Sequence, residues 1–207
     1  MKMEFRKYEK IHRLGKEETD GVLLGKCYIQ EKIDGANTSI WLDDKGVIQC
    51  GSRNRHLVED DFNGFVTYAR NHEGIQSCLE SNPSARLYGE WLIKHTIQYN
   101  HTFYKKFYLF DVHFFGDYLP PQQVMAIAKK YGIDCVPMIG EYENPSFDKI
   151  NEFVGKSQFG DRGEGVVIKN MDFVNKFGDL VFAKIVCSDF KEKNLLKFNE
   201  NDKHSEF

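Results

Sequence analysis

The sequence has 207 residues, with 28 Lys plus Arg against 31 Asp plus Glu, a formal net charge of −3 and 41% hydrophobic residues. That balance describes a globular chain and excludes intrinsic disorder for most of its length, and with a pI near 6.2 it argues against nucleic-acid binding by bulk electrostatics, leaving a local basic groove as the alternative. The longest uncharged stretch, Tyr118 to Ala128, holds two prolines and two glutamines and falls short of the roughly 18 apolar residues of a membrane span, so no membrane partner is expected. The start, MKMEFRKYEK, is charged throughout and lacks the roughly 7–15-residue apolar core of a secretory signal. Five cysteines, 23, 28, 57 and 52 residues apart, show neither paired zinc-ligand spacing nor a disulfide framework, so a cytoplasmic location is expected.

In chain order, β-like runs rich in branched and aromatic residues fall at Cys27–Glu31, Thr38–Leu42 and Val47–Ser52, the last two joined by an Asp44-Lys45-Gly46 turn. A helix is predicted over Phe62–Leu79, followed by strands at Arg86–Trp91 and Phe107–Phe114. From Gln122 to Tyr131 the residues Val124, Ile127, Ala128 and Tyr131 repeat at helical spacing, with Pro120-Pro121 ahead and Gly132 behind. Ser146 reads as the N-cap of a helix with Phe147, Ile150 and Val154 on one face. Further strands are predicted at Gly165–Lys169 and Leu180–Val186, and Ser188–Phe207 turns to Lys, Glu, Asn and Asp, a surface helix or a frayed tail. The sum is an α+β fold with mainly antiparallel sheets flanked by helices, as one domain over residues 1–187 and a charged tail over 188–207.

Six segments carry chemistry. Glu31-Lys32-Ile33-Asp34-Gly35-Ala36-Asn37 delivers a lysine at the end of an apolar strand, ahead of a tight turn; alone it is also the pattern of a hairpin turn with a solvated lysine. Ser52-Arg53, Leu87-Tyr88-Gly89-Glu90-Trp91 and Phe107-Tyr108-Leu109-Phe110-Asp111 follow, then Glu164-Gly165-Val166-Val167-Ile168-Lys169 and Phe182-Ala183-Lys184-Ile185. Singly, Glu164–Lys169 reads as a buried strand with charged ends and Phe107–Phe110 as core packing. Lys184 in an apolar strand is harder to explain so plainly, since a buried lysine is costly.

Taken in this order, the segments resemble the covalent nucleotidyltransferase superfamily of ATP-dependent RNA ligases, DNA ligases and capping enzymes, and most nearly the phage-type RNA ligase 2 group. The resemblance implies an ATP-grasp-like nucleotidyltransferase domain in which Lys32 attacks the α-phosphate of ATP to form a lysyl-AMP phosphoramidate with release of pyrophosphate. A lysine amine, with an ordinary pKa of about 10.4, is a nucleophile only when neutral, and burial, a nearby cation such as Lys184 and a bound metal all favour that form. By the same resemblance Lys169 and Lys184 neutralise phosphate charge and Glu164 helps hold Mg²⁺ or Mn²⁺. Arg53 and Glu90 match positions that hold the ribose and the reacting end, and Phe110 the aromatic that stacks on adenine. Glu31 and Ile33 flank the nucleophile where backbone groups read the base edge, Asn37 stands near the phosphates or RNA end, and Asp34 occupies the motif's Asp-or-His position.

The family's last motif usually has Lys-x-Lys, and here Lys184-Ile185-Val186 keeps the first lysine alone. Only 23 residues follow Lys184, too few for the OB-fold that DNA ligases and capping enzymes append, so no OB-fold domain is expected. The implied partners are RNA 5′-phosphate and 3′-hydroxyl ends, with end recognition possible from a separate domain or protein. A DNA ligase, a capping-type enzyme and a nucleic-acid-binding module without turnover are the alternatives. Lys94 to Lys106 mixes cations, amides and aromatics and reads either as an RNA-facing loop or as an exposed amphipathic one.

Overall fold

The computed structural model describes residues 3–188. Its strands are β1 (His12–Arg13), β2 (Lys26–Lys32), β3 (Ala36–Leu42), β4 (Ile48–Ser52), β5 (Ala85–Trp91), β6 (Phe107–Phe114), β7 (Asp117–Tyr118), β8 (Met138–Glu143), β9 (Gly165–Lys169) and β10 (Ala183–Val186). The α-helices are α1 (Phe65–Asn71), α2 (Glu73–Ser81), α3 (Pro121–Tyr131) and α4 (Phe147–Asn151). The described residues divide into two compact units: one takes Ile33–His95 and Tyr99–Pro137 with residues 3–10, the other Ile11–Lys32, Thr96–Gln98 and residues 138–188. The tail or surface helix expected over 188–207 lies, but for Ser188, outside the described residues.

The first unit is built on the antiparallel sheet β4-β3-β5-β6-β7. Alternation sends Ile40, Leu42, Cys50, Leu87 and Trp91 to one face, where α1, α2 and α3 supply Phe65, Ile75, Leu79 and Val124 to close a core. The β3–β4 turn is held by Asp43, whose Oδ1 accepts the backbone N–H groups of Lys45 and Val47 at 2.9 and 2.8 Å. Helix α3 starts on Pro121 and ends at Gly132 in the left-handed region, as the Pro and Gly punctuation requires. The helix expected over Phe62–Leu79 is broken in two. His72 adopts an extended backbone (φ −88°, ψ 104°) and its Nδ1 accepts from the N–H of Ile75, so it ends α1 and caps α2.

The second unit carries the sheet β1-β10-β9-β2-β8, antiparallel except where the two-residue β1 runs parallel to β10. Cys27 and Ile29 of β2, Val166 and Ile168 of β9, and Ala183 of β10 share a face and pack with Ile150 of α4. Ser146 caps α4 by accepting from the N–H of Lys149 at 3.2 Å; Ile150 is buried, whereas Phe147 stays half exposed. Strand β10 starts at Ala183 rather than Leu180, because Leu180 bridges back to Val174 across a loop in which Asn175 Oδ1 accepts the N–H groups of Phe177 and Asp179.

Candidate active site

In the second unit, register puts the predicted lysines on one face of the sheet. Lys32 pairs with Gly165, Tyr28 with Lys169, and Lys184 with Val167, and direct partners across a sheet point the same way. That face is opposite to the core formed by Cys27, Ile29, Val166 and Ile168. Lys32 ends β2, and its Nζ stands 2.6 Å from Glu164 Oε2; the lysine side chain is 22% exposed and the carboxylate 7%. Lys169 is 1% exposed, with its ammonium 5.2 Å from the centroid of the Phe182 ring, a cation–π arrangement. Lys184 lies half-buried in β10.

The approach of Glu164 to Lys32 depends on its neighbour. A Cβ on Gly165 would stand 2.0 Å from the carbonyl oxygen of Ile185, so only glycine lets β9 close against β10 where the N–H of Cys187 reaches the Glu164 carbonyl at 2.9 Å. Glu31 alternates away from Lys32 toward the core side. Its carboxylate accepts from Ser157 Oγ at 2.5 Å and from the N–H of Gln158 at 3.0 Å, anchoring the segment that leads to Glu164. Burial pushes its carboxyl above the usual carboxylate range, and these two hydrogen bonds pull it back only in part. Sequence spacing cannot reveal the Glu31–Ser157 contact, which joins residues 126 apart.

In the first unit, the Asp34-Gly35 turn is tied down from three sides. Asp34 donates its N–H to the Tyr99 hydroxyl at 2.9 Å, its Oδ1 meets His95 Nδ1 at 2.6 Å, and Gly35 donates its N–H to Glu90 Oε1 at 3.1 Å. Ile33 is buried ahead of this turn. Asn37 and Glu90 are direct cross-strand partners, on the sheet face away from the core. Phe110 reaches the same face through a β-bulge: Tyr88 pairs with Asp111 and Gly89 with Leu109, leaving Phe110 as the extra residue. Arg53 is exposed just beyond β4.

An N-terminal strap that the sequence did not reveal covers part of this face. Carbonyls of Met3, Glu4 and Arg6 accept from Trp41 Nε1, Arg86 and the Tyr88 hydroxyl. Gly51 makes room for Phe5, whose ring a Cβ there would meet at 2.7 Å. Tyr8 donates to the fully buried Asp111 at 2.5 Å and sets its ring edge-on to Phe110, centroids 5.0 Å apart. The Lys94–Lys106 loop is closed at its base by backbone bonds between Leu92 and residues 105 and 106, and Lys106 Nζ lies 3.6 Å from Asp134.

The donors fit a divalent cation of the hard, oxygen-seeking kind: Glu164 offers a carboxylate beside the lysine face, and such ions take one or two carboxylates and complete their shell with water and phosphate oxygens. Among the described residues no cluster of three His, Cys, Asp or Glu forms an all-protein metal cage. The thiols of Cys27, Cys50 and Cys78 are not reactive candidates, since burial pushes Cys27 and Cys78 up to about 11 and Cys50 to about 12.

Solved structures share the fold. An RNA ligase of Naegleria gruberi with pyrophosphate superposes at a TM-score of 0.71 and 24% identity, over 91% of this chain and 58% of that one. A lysine-to-alanine mutant of that ligase with ATP and manganese gives 0.69 and 24%, over 89% and 57%. An archaeal ATP-dependent RNA ligase gives 0.68 and 18%, over 89% and 49%. The chain thus spans little more than half the length of the Naegleria enzyme. No curated relative matches it. The RNA ligase family matches residues 25–186, more than three quarters of the chain, and the chain belongs to that family.

Proposed function

We propose that the chain is the adenylyltransferase domain, over residues 1–187, of a cytoplasmic ATP-dependent RNA ligase. The observation that carries this reading is Lys32 at the end of β2, paired at 2.6 Å with Glu164 on a sheet face that also bears Lys169 and Lys184. In the first step Lys32 Nζ forms a bond to the α-phosphorus of ATP and the bond to the bridging oxygen breaks, so pyrophosphate leaves. The amine loses a proton beforehand, a loss that the like charges of Lys169 and Lys184 favour. Lys169 and Lys184 then offset charge on the phosphate oxygens. Glu164 would hold Mg²⁺ or Mn²⁺, which supplies further charge neutralisation there.

Arg53 and Glu90 hold the ribose and reacting end, Phe110 stacks on adenine, the backbone at Glu31 and Ile33 reads the base edge, and Asn37 stands by the phosphates or RNA end. AMP passes from Lys32 to an RNA 5′-phosphate, and a 3′-hydroxyl attacks that phosphate and displaces AMP. Positioning and charge stabilisation supply most of the catalysis. A separate domain or protein supplies end recognition, in keeping with the greater length of the Naegleria enzyme. Among the described residues no helix is long and apolar enough to cross a membrane.

The test incubates the protein with α-labelled ATP or GTP and Mg²⁺, or Mn²⁺ in its place, then with 5′-phosphorylated RNA or DNA strands bearing 3′-hydroxyl partners. Label from ATP and joined RNA support the reading. Label from GTP alone points to capping chemistry, joined DNA alone to a DNA ligase, and no label with either metal to a binding module without turnover.

A further inference from the structure

Gln30 stands at the centre of the lysine face and the ligase reading leaves it without a role. Its row across the sheet is Lys184, Val167, Gln30 and Met138; the row on one side holds Gly165 and Lys32, and the row on the other Lys169 and Tyr28. Gln30 is 1% exposed, and among the described residues its Nε2 has no hydrogen-bond partner. Burying an amide donor unpaired is destabilising, and a methionine of similar size would fill the place without that penalty. The neighbours indicate what the donor serves, because three ammonium groups on one face suit an oxyanion and the carboxamide adds a directed N–H to their point charges. Val186, opposite Gly165 in the Lys32 row, occupies the place of the second lysine of the last motif, so this face has one cation fewer to satisfy a phosphate chain.

We propose that Gln30 Nε2 donates a hydrogen bond to a non-bridging phosphate oxygen of the nucleoside triphosphate, making Gln30 a binding residue for the phosphate chain. The proposal rests on the ligase reading and is tested so that the two can fail separately. Gln30→Met and Gln30→Asn are compared with the wild type in thermal melts, alone and with inorganic tripolyphosphate, and in labelling by α-labelled ATP. Without ligand, Gln30→Met melts at or above the wild-type temperature, since an unpaired donor has been removed. Tripolyphosphate raises the wild-type melting temperature and raises that of Gln30→Met much less. The KM for ATP in labelling rises about tenfold or more, the cost of a hydrogen bond to a charged group, with a smaller change at saturating ATP. Gln30→Asn keeps the donor on a shorter arm and falls between the two.

If the wild type takes no label yet tripolyphosphate still separates it from Gln30→Met, the ligase reading fails and Gln30 remains a phosphate contact. A Gln30→Met protein with the wild-type KM, or with the wild-type response to tripolyphosphate, overturns the proposal; so does a wild type that tripolyphosphate does not stabilise. If Gln30→Met does not fold, Gln30→Asn decides by the same two readouts.

Discussion

At the scale of single residues, the Lys32–Glu164 pair is the sharpest feature of the structure. Glu164→Gln keeps the shape of the side chain and removes its charge, so lysyl-AMP formation is expected to fall by about a hundredfold or more while the fold persists, as single-turnover labelling and a melt on one preparation check. Glu31 makes the opposite kind of prediction. Burial holds its carboxyl above the ordinary value, so the folded state favours the protonated form. The stability this confers is fully present below the unfolded value of about 4.3 and is lost as pH rises through the higher folded value. Glu31→Gln removes that loss: urea unfolding at about pH 4 and about pH 7 should show the variant gaining on the wild type at the higher pH. A difference between the two proteins that does not change with pH would show that burial is not what governs Glu31.

At the scale of elements, runs of β-branched and aromatic residues made β2 to β6 and β9 legible, and Pro-Gly punctuation did the same for α3. What escaped was decided by long-range contacts. Met138-Ile-Gly-Glu-Tyr-Glu has little β pattern and becomes β8 because β2 needs a partner on its free edge. The strand expected over Phe107–Phe114 forms, but its two-residue alternation is interrupted halfway. The bulge sends Leu109 and Val112 to the core and turns Phe110 and Asp111 outward toward Tyr8. Gly165→Ala is expected to separate β9 from β10 and cost several kcal/mol, about 3 or more given the 2.0 Å approach of its Cβ to Ile185 oxygen, and to abolish labelling. Tyr8→Phe, which removes one hydrogen bond from a buried carboxylate, is expected to cost about 1–3 kcal/mol in denaturant unfolding. Loss of labelling by Gly165→Ala without any loss of stability would contradict the packing role given to that glycine.

At the scale of the whole molecule, the chemistry-bearing residues come from both compact units, and their order along the chain is what made the family legible before any geometry was known. The second tier was not legible. Ser157 and Gln158 beneath Glu31, Tyr99 and His95 around Asp34, and Tyr8 beside Phe110 join positions far apart in sequence and belong to no short motif. On the ligase reading, a net charge of −3 requires RNA to be held by a local basic surface, and the Lys105 and Lys106 side chains are proposed to touch its phosphates. Replacing both with alanine is expected to weaken RNA binding and to lower the salt slope by about one for each phosphate that the loop no longer neutralises; an unchanged slope would remove this loop from the interface.

The central claim is that Lys32 is the nucleophile, and the most direct test is to map the adduct. The protein is incubated with ATP and Mg²⁺, digested, and its peptides are weighed. AMP on the peptide containing Lys32, absent after Lys32→Ala, is the predicted result. AMP on Lys169, Lys184 or any other residue, or a folded wild type that takes up none with Mg²⁺ or Mn²⁺, would contradict it.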